Sequence, residues 1–291
     1  ASLLGNVASL RSSGLELSLQ GDIIRTKDFK WSASMNITWP RTLVTKISDE
    51  ADLSQLGNLT GLEYNNTTLV EGKPLGLITG LKVTGIIRTQ AQLDAYKEKL
   101  GGYYDFIFSS LSIGDPMFKL DEPDDLGQYP AFNQIIGSAA PNCYGGFSQS
   151  ISYKNLDLSL YFTYSQGGSL MWGDGVSSIN FVGTSNANAY MLGRWTPDNP
   201  NSKNPRLLWQ DQALMYNTSL SVFDASYLKL RTVTLSYSLG QNKWLNNKSI
   251  KNASVFMSAT NLFTITSYPG NDPETSEDPF SMAGGYFHVS N

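Results

Sequence analysis

The sequence predicts an all-β chain of antiparallel hairpins, with the two-faced strands and long loops of a transmembrane β-barrel wall. Three observations carry that prediction. Apolar and polar residues alternate with period two over runs of membrane-strand length. Charge is scarce: 41% of the 291 residues are apolar and 16% charged, against about 25% charged in a soluble domain. Tight turns alternate with long irregular segments, and barrels of this class have short turns at one end and long loops at the other. No stretch reaches the roughly 18 apolar residues of a spanning helix. Soluble β-sandwiches and propellers share this composition, so composition by itself leaves both open.

The first strand pattern runs from Gly14 to Gln20, where Leu15, Leu17 and Leu19 alternate with Glu16, Ser18 and Gln20. A turn is expected near Lys27 and Asp28. Trp31, Ala33, Met35, Ile37 and Trp39 then alternate with Ser32, Ser34, Asn36 and Thr38, with a tryptophan at each end. Taken alone, this hairpin fits a half-buried soluble sheet as well as a membrane wall. The second hairpin is stronger. Phe147, Ile151 and Tyr153 share a phase, Lys154 and Asn155 make the turn, and Leu156, Leu158, Leu160, Phe162 and Tyr164 alternate with Asp157, Ser159, Tyr161, Thr163 and Ser165. The apolar set suits lipid and the other set a wet lumen.

A third group spans Tyr227 to Leu239. Its phase slips around Arg231 to Val233, which predicts a bulge. Asn242 to Lys251 reads as a polar connection, and Ala253, Val255, Met257 and Ala259 resume the alternation. Fainter strands are expected at Thr68–Val70, Gly76–Val83 and Thr218–Val222. Thr89 to Leu100 reads as a short helix with Leu93, Tyr96 and Leu100 on its apolar side. Gly167 to Asn217 is long, irregular and rich in Asn, Gly and Pro, as expected of an external loop.

Catalytic chemistry finds little support. His288 is the lone histidine and Cys143 the lone cysteine, so a Ser-His-acid triad, a zinc site and an internal disulfide all lack their parts. The Gly pairs at 101–102 and 145–146 lack the flanks of a phosphate loop. The chain is read as no enzyme and as needing no cofactor. Net charge is −4 with no basic tract, which leaves nucleic acid without an electrostatic footprint. Asp121, Asp124 and Asp125 are the donors a calcium loop would use. Pro123 occupies a ligand position there, however, and Gly127 falls one residue late, so a solvated acidic loop is preferred. Asp272, Glu274, Glu277 and Asp278 form a second acidic cluster, read as surface loop with a cation site as the alternative. Ala1 is not Met and no signal peptide follows, so residues 1–291 are read as one segment of a longer, processed or truncated protein.

Several separated motifs stand in a recognisable order. They are Asn6-Val-Ala-Ser-Leu-Arg-Ser-Ser-Gly14, Gly72-Lys-Pro74-Leu-Gly76, Gly114-Asp115-Pro116, Ile136-Gly137, and Pro141 through Tyr144-Gly145-Gly146. Further on come Arg194-Trp195-Thr196-Pro197 with Asn199-Pro200, then Asp224 through Tyr227-Leu-Lys-Leu-Arg231. Asn261-Leu-Phe263 and Tyr268-Pro-Gly-Asn-Asp272-Pro273-Glu274 complete the series. With these motifs the chain resembles the C-terminal portion of the SusC-like TonB-dependent transporters of Bacteroidetes.

The resemblance implies a bacterial outer-membrane barrel of about 22 strands around a plug. It also implies TonB as energy source through an N-terminal part, a SusD-like surface lipoprotein as lid, and an oligosaccharide, or less readily a peptide, as imported substrate. The plug, the N-terminal barrel strands and a final strand ending in an aromatic residue are expected to lie outside this chain. Where the family carries Asp-x-Asn-x-Asp-Gly, this chain has Asp121 to Gly127. Tyr190, Trp195 and Trp209 are candidate contacts for lid or substrate, because aromatic rings offer area at low entropy cost. For Trp195, packing within the loop is the preferred reading. A passive porin and a soluble surface glycan-binding β-protein are the alternatives.

Overall fold

The computed structural model describes residues 8–47, 67–68, 70–101, 111–120, 134–172, 189–207, 218–239 and 253–274. In chain order the strands are β1 (Ala8–Arg25), β2 (Phe29–Ile47), β3 (Thr67–Thr68), β4 (Leu77–Gly80), β5 (Val83–Ile86), β6 (Pro116–Phe118), β7 (Gln134–Ser138), β8 (Pro141–Tyr153), β9 (Leu156–Gly167), β10 (Ser169–Met171), β11 (Val222–Asp224), β12 (Tyr227–Ser238) and β13 (Ser254–Thr266). Among the described residues one α-helix, α1 (Gln90–Leu100), lies between β5 and β6. Among the described residues no helix is long and apolar enough to cross a membrane.

Six long strands form one antiparallel meander in the order β1-β2-β8-β9-β12-β13. Their register separates two chemistries. Leu19, Met35, Phe147, Phe162, Leu230 and Phe263 stand in one row across all six strands, with the Phe147 and Phe162 rings stacked at 4.5 Å. On the opposite face, Ser32, Ser150, Ser159, Thr234 and Ser258 form a row of hydroxyls beside Asp22. The next row is Gln20, Ser34, Ser148, Tyr161, Thr232 and Thr260. Gln149 is a polar residue in the apolar phase, and its side-chain oxygen accepts the Trp31 indole N–H at 2.6 Å, which offsets the cost of leaving an amide unpaired.

The predicted bulge falls at Arg231. The pairing of β12 with both neighbours slips between Leu230 and Thr232. The extra residue lets Arg231 and Thr232 both serve the polar face while Val233 and Leu235 stay on the apolar one. Asn261 opposes it with φ 51°, a left-handed conformation that Asn tolerates. At the β8–β9 turn Lys154 has φ 53°, which lets a two-residue connection reverse the chain. Gly145 is required by a close approach: a Cβ there would sit 2.1 Å from the Asn36 carbonyl oxygen and 2.9 Å from the Tyr164 hydroxyl. Tyr164 lies across this gap and donates to that carbonyl at 3.0 Å.

Several expectations need correction. β1 and β2 are longer than their alternating cores, because backbone pairing continues through Arg11–Gly14 and Pro40–Leu43, where the side chains carry no period. Gly76–Val83 is two strands in different sheets, since the chain turns at Leu81, which bridges Thr218. Of the expected strand Thr68–Val70, Thr68 pairs within β3 and Val70 stands outside a strand, while Leu69 lies outside the described residues. Thr218–Val222 is mostly turn: the Ser221 N–H and hydroxyl both bond the Thr218 carbonyl, and the strand starts only at Val222. The helix is as expected, capped by the Thr89 hydroxyl, which accepts from Gln92 N–H, with Leu93, Tyr96 and Leu100 buried. Trp209, Asp121, Asp124, Asp125, Glu277, Asp278, His288 and the 242–251 connection lie outside the described residues.

The tight turns at 26–28 and 154–155 sit side by side, with Lys154 N–H bonded to the Asp28 carbonyl. The long connections from β2 to β8 and from β9 to β12 therefore emerge together at the other end. There they share a core. Leu81, Ile87, Leu93, Tyr96, Leu100, Leu111 and Phe118 of the first connection bury Met191 of the second. Tyr96 donates no proton lightly: burial pushes its hydroxyl up to about 12, against the lowering effect of the Phe118 N–H bond.

Candidate functional site

The long-loop end and the polar wall beneath it carry the features that distinguish this sheet. At the top of β2, Val44 is fully buried and exchanges backbone bonds with the Gly72-Lys-Pro74 segment: Val44 N–H to Lys73 O at 3.0 Å and Gly72 N–H to Val44 O at 2.8 Å. That segment then leads into β4. The first long connection is thus stitched to the strand it leaves.

The two long connections are locked together by residues distant in sequence. Asp115 is 1% exposed and accepts both Arg206 Nε, at 2.6 Å, and an Arg206 terminal nitrogen, at 3.1 Å. A two-pronged charge-assisted pair of this kind fixes orientation as well as distance. Burial nonetheless raises the Asp115 carboxyl above its ordinary range, outweighing the lowering effects of Arg206 and the Ser112 N–H. Trp195 lies flat over Gly114, where a Cβ would fall 2.5 Å from its ring. The Trp195 indole N–H is buried with no partner among the described residues. Arg88 donates to the carbonyls of Pro200 and Ser202 and to the Asn201 side chain.

Arg194 bonds the Met191 carbonyl at 3.0 Å. Asn199 closes its turn onto Thr196 while Pro197 and Pro200 stay exposed. Tyr190 packs edge-on to Trp172 and Phe223 and donates to Asn204 at 2.9 Å; its hydroxyl titrates above the ordinary range, mainly through burial, with the Asn204 bond opposing. The two connections form one cap.

A third cluster joins the cap to the wall. Lys229, on the polar face of β12, has a side chain 5% exposed. It donates to both Asp272 oxygens, at 3.0 and 2.7 Å, and to Glu274. Arg231 bonds Glu274 and, at 3.0 Å, the Thr163 hydroxyl. Tyr227 donates to Glu274 at 2.6 Å. The acidic pair read as surface loop is therefore half of an ion-pair network, and Pro273 between the two acids is buried. Among the described residues, no three of His, Cys, Asp and Glu converge as metal ligands do. Arg88, Arg206, Lys229, Arg231 and Tyr227 make contacts that the sequence alone does not assign to them. The available signal was two cations on a strand face otherwise made of hydroxyls.

No protein-family model matches the chain. A TonB-dependent receptor of Formosa agariphila is 30% identical over 281 residues, 94% of this chain and 27% of that protein. Another from the same organism is 28% identical over 288 residues, 95% of this chain and 26% of its own length. The TonB-dependent receptor SusC of Bacteroides thetaiotaomicron is 25% identical over 281 residues. Over nearly its whole length the chain is similar to TonB-dependent receptors, SusC among them. It spans about a quarter of the length of these relatives. The structure of the RagAB peptide transporter superposes with a TM-score of 0.68 at 27% identity, over 96% of this chain and 28% of that one. The RagAB peptide importer in its open-open state gives the same TM-score at 26% identity.

Proposed function

We propose that this chain is one part of the wall and outer cap of an active outer-membrane transporter, which imports an oligosaccharide with energy from TonB and a SusD-like lipoprotein as lid. The observation that carries the proposal is the split of the six-strand sheet into an apolar and a polar face, with the connections from β2 to β8 and from β9 to β12 joined in one cap at one end. In a bilayer the apolar rows face lipid and the hydroxyl rows a wet lumen, and the cap stands on the extracellular side. The relatives support energised import over a passive pore, since they are named for TonB dependence.

The two central hydroxyl rows from β2 to β13 carry no charged side chain. A hydroxyl both donates and accepts, so such a wall suits a neutral polar solute, which favours a sugar chain. The RagAB neighbours carry peptides, and peptide import is the second reading. The test is uptake of candidate oligosaccharides and peptides by cells with and without TonB. Uptake of oligosaccharide that vanishes without TonB is expected; full uptake in its absence would replace this reading with a passive porin. Co-purification of a surface lipoprotein with the intact protein is expected as well.

A further inference from the structure

We propose that residues 267–274 are a strap that holds the loop cap on the barrel rim, with Lys229 as its seat. The proposal rests on the reading of the sheet as barrel wall.

The strap is fastened at two points. Tyr268, at its start, is buried among Leu170, Trp172 and Ala225 of the cap, and its hydroxyl reaches the Met171 carbonyl at 3.4 Å. Asp272 and Glu274, at its end, lie on Lys229, Arg231 and Tyr227 of the wall. Between them the chain folds tightly back: a Cβ on Gly270 would sit 2.4 Å from the Tyr268 ring. One short segment therefore touches both bodies.

The seat is unlike its surroundings. Along its row Lys229 faces Thr163 on one neighbouring strand and Thr264 on the other, so neither flanking strand offers it a carboxylate there. An ammonium group withdrawn from water needs a counter-charge, and the strap brings two. The bulge supplies Arg231 beside it without turning Val233 or Leu235 into the polar face. Ion pairs of this kind contribute little net stability, but they fix one arrangement against others, because any displaced arrangement strands a charge. That is the property a positioning contact requires.

The experiment uses the full-length protein in outer membranes, with Cys143→Ser and any further cysteine outside residues 1–291 replaced in the same way. Spin labels on Asp198→Cys in the cap and Lys154→Cys at the tight-turn end report the cap-to-wall distance, and a label on Asn271→Cys reports strap mobility. The parent protein should give a narrow distance distribution and an immobile Asn271 label. Lys229→Met should broaden the first and free the second, while Lys229→Arg retains both. Unchanged distributions in Lys229→Met would overturn the proposal. If that variant does not assemble, the Asp272→Asn, Glu274→Gln pair makes the same test; failure of both to assemble also overturns it, since a contact that only positions the cap is dispensable for building the barrel. These labels read geometry without transport, so a failed strap and a failed transport assignment give different results.

Discussion

Asp115 and Asp272 are both carboxylates paired with a cation, yet they titrate in opposite directions. Asp115 is raised because burial outweighs Arg206. For Asp272 burial also raises, but the bonds from Lys229 and the Glu274 N–H, with the charges of Lys229 and Arg231, prevail and lower it from 3.8. A lowered carboxyl stabilises above its unfolded value, and the contribution is lost as pH falls through the folded one. A raised carboxyl does the reverse: its folded form holds the extra proton, so stability declines as pH rises from 3.8 through the raised value. Acidification from about pH 5 to about pH 3 should therefore loosen the strap at residues 267–274 while leaving the Asp115 joint in place. Hydrogen exchange by segment checks this, and simultaneous release of both would refute it. At the same joint, Arg206→Met leaves Asp115 buried without its partner, so a local loss of about 3–5 kcal/mol is expected. It should appear as faster exchange at 111–120 and 202–207, with the six-strand sheet unchanged. None of these partnerships was legible beforehand. Asp115, Lys229, Arg231, Asp272 and Glu274 all stood in motifs, but a motif states which residues recur and not which ones meet.

Strands were far more legible than loops, and the reason is physical. A strand with one face in lipid and one in water must write its environment into alternate residues, so Trp31–Trp39 and Leu156–Ser165 announced themselves. The slip at Arg231 was legible for the same reason, since one added residue inverts the phase. The ends of β1 and β2 were not, because there backbone pairing proceeds without alternation. In the cap, strands of two to five residues such as β4, β7 and β10 are too short to show a period, and their order depends on contacts such as Leu81 with Thr218. The element-scale prediction follows from the register. Spin labels at Leu156, Leu158, Leu160 and Phe162 should respond to a lipid-soluble relaxation agent, and labels at Asp157, Ser159 and Thr163 to an aqueous one. Labels without that split would end the barrel-wall reading. Leu158→Arg should cost about 2–4 kcal/mol if the site is near the bilayer midplane, whereas Ser159→Arg, on the wet face, should cost far less.

At the scale of the molecule, direction across the membrane is the remaining consequence of the chain's path. β1 and β13 are the outer strands of the sheet, and an edge left open in hydrocarbon costs several kcal/mol per unpaired group. The sheet therefore belongs inside a larger closed wall, in keeping with relatives about four times as long. Within such a wall every strand must cross, so the alternating connections divide strictly between two compartments. The turns at Thr26–Asp28 and Lys154–Asn155 share one side; the segments holding α1, Trp195 and Asp272 share the other. Short turns belong to the periplasm and long loops to the exterior. An impermeant thiol reagent added to intact cells should therefore label Asp198→Cys, on the exposed Pro197–Pro200 turn, in the full-length protein. It should miss Lys154→Cys until the outer membrane is opened. Because the two positions lie on opposite ends of a continuous meander, the result is a matched pair. Labelling of Lys154→Cys alone would invert the topology and put the cap, with its strap, beneath the membrane, where no surface lipoprotein could reach it. Labelling of both in intact cells would mean that the sheet does not span at all.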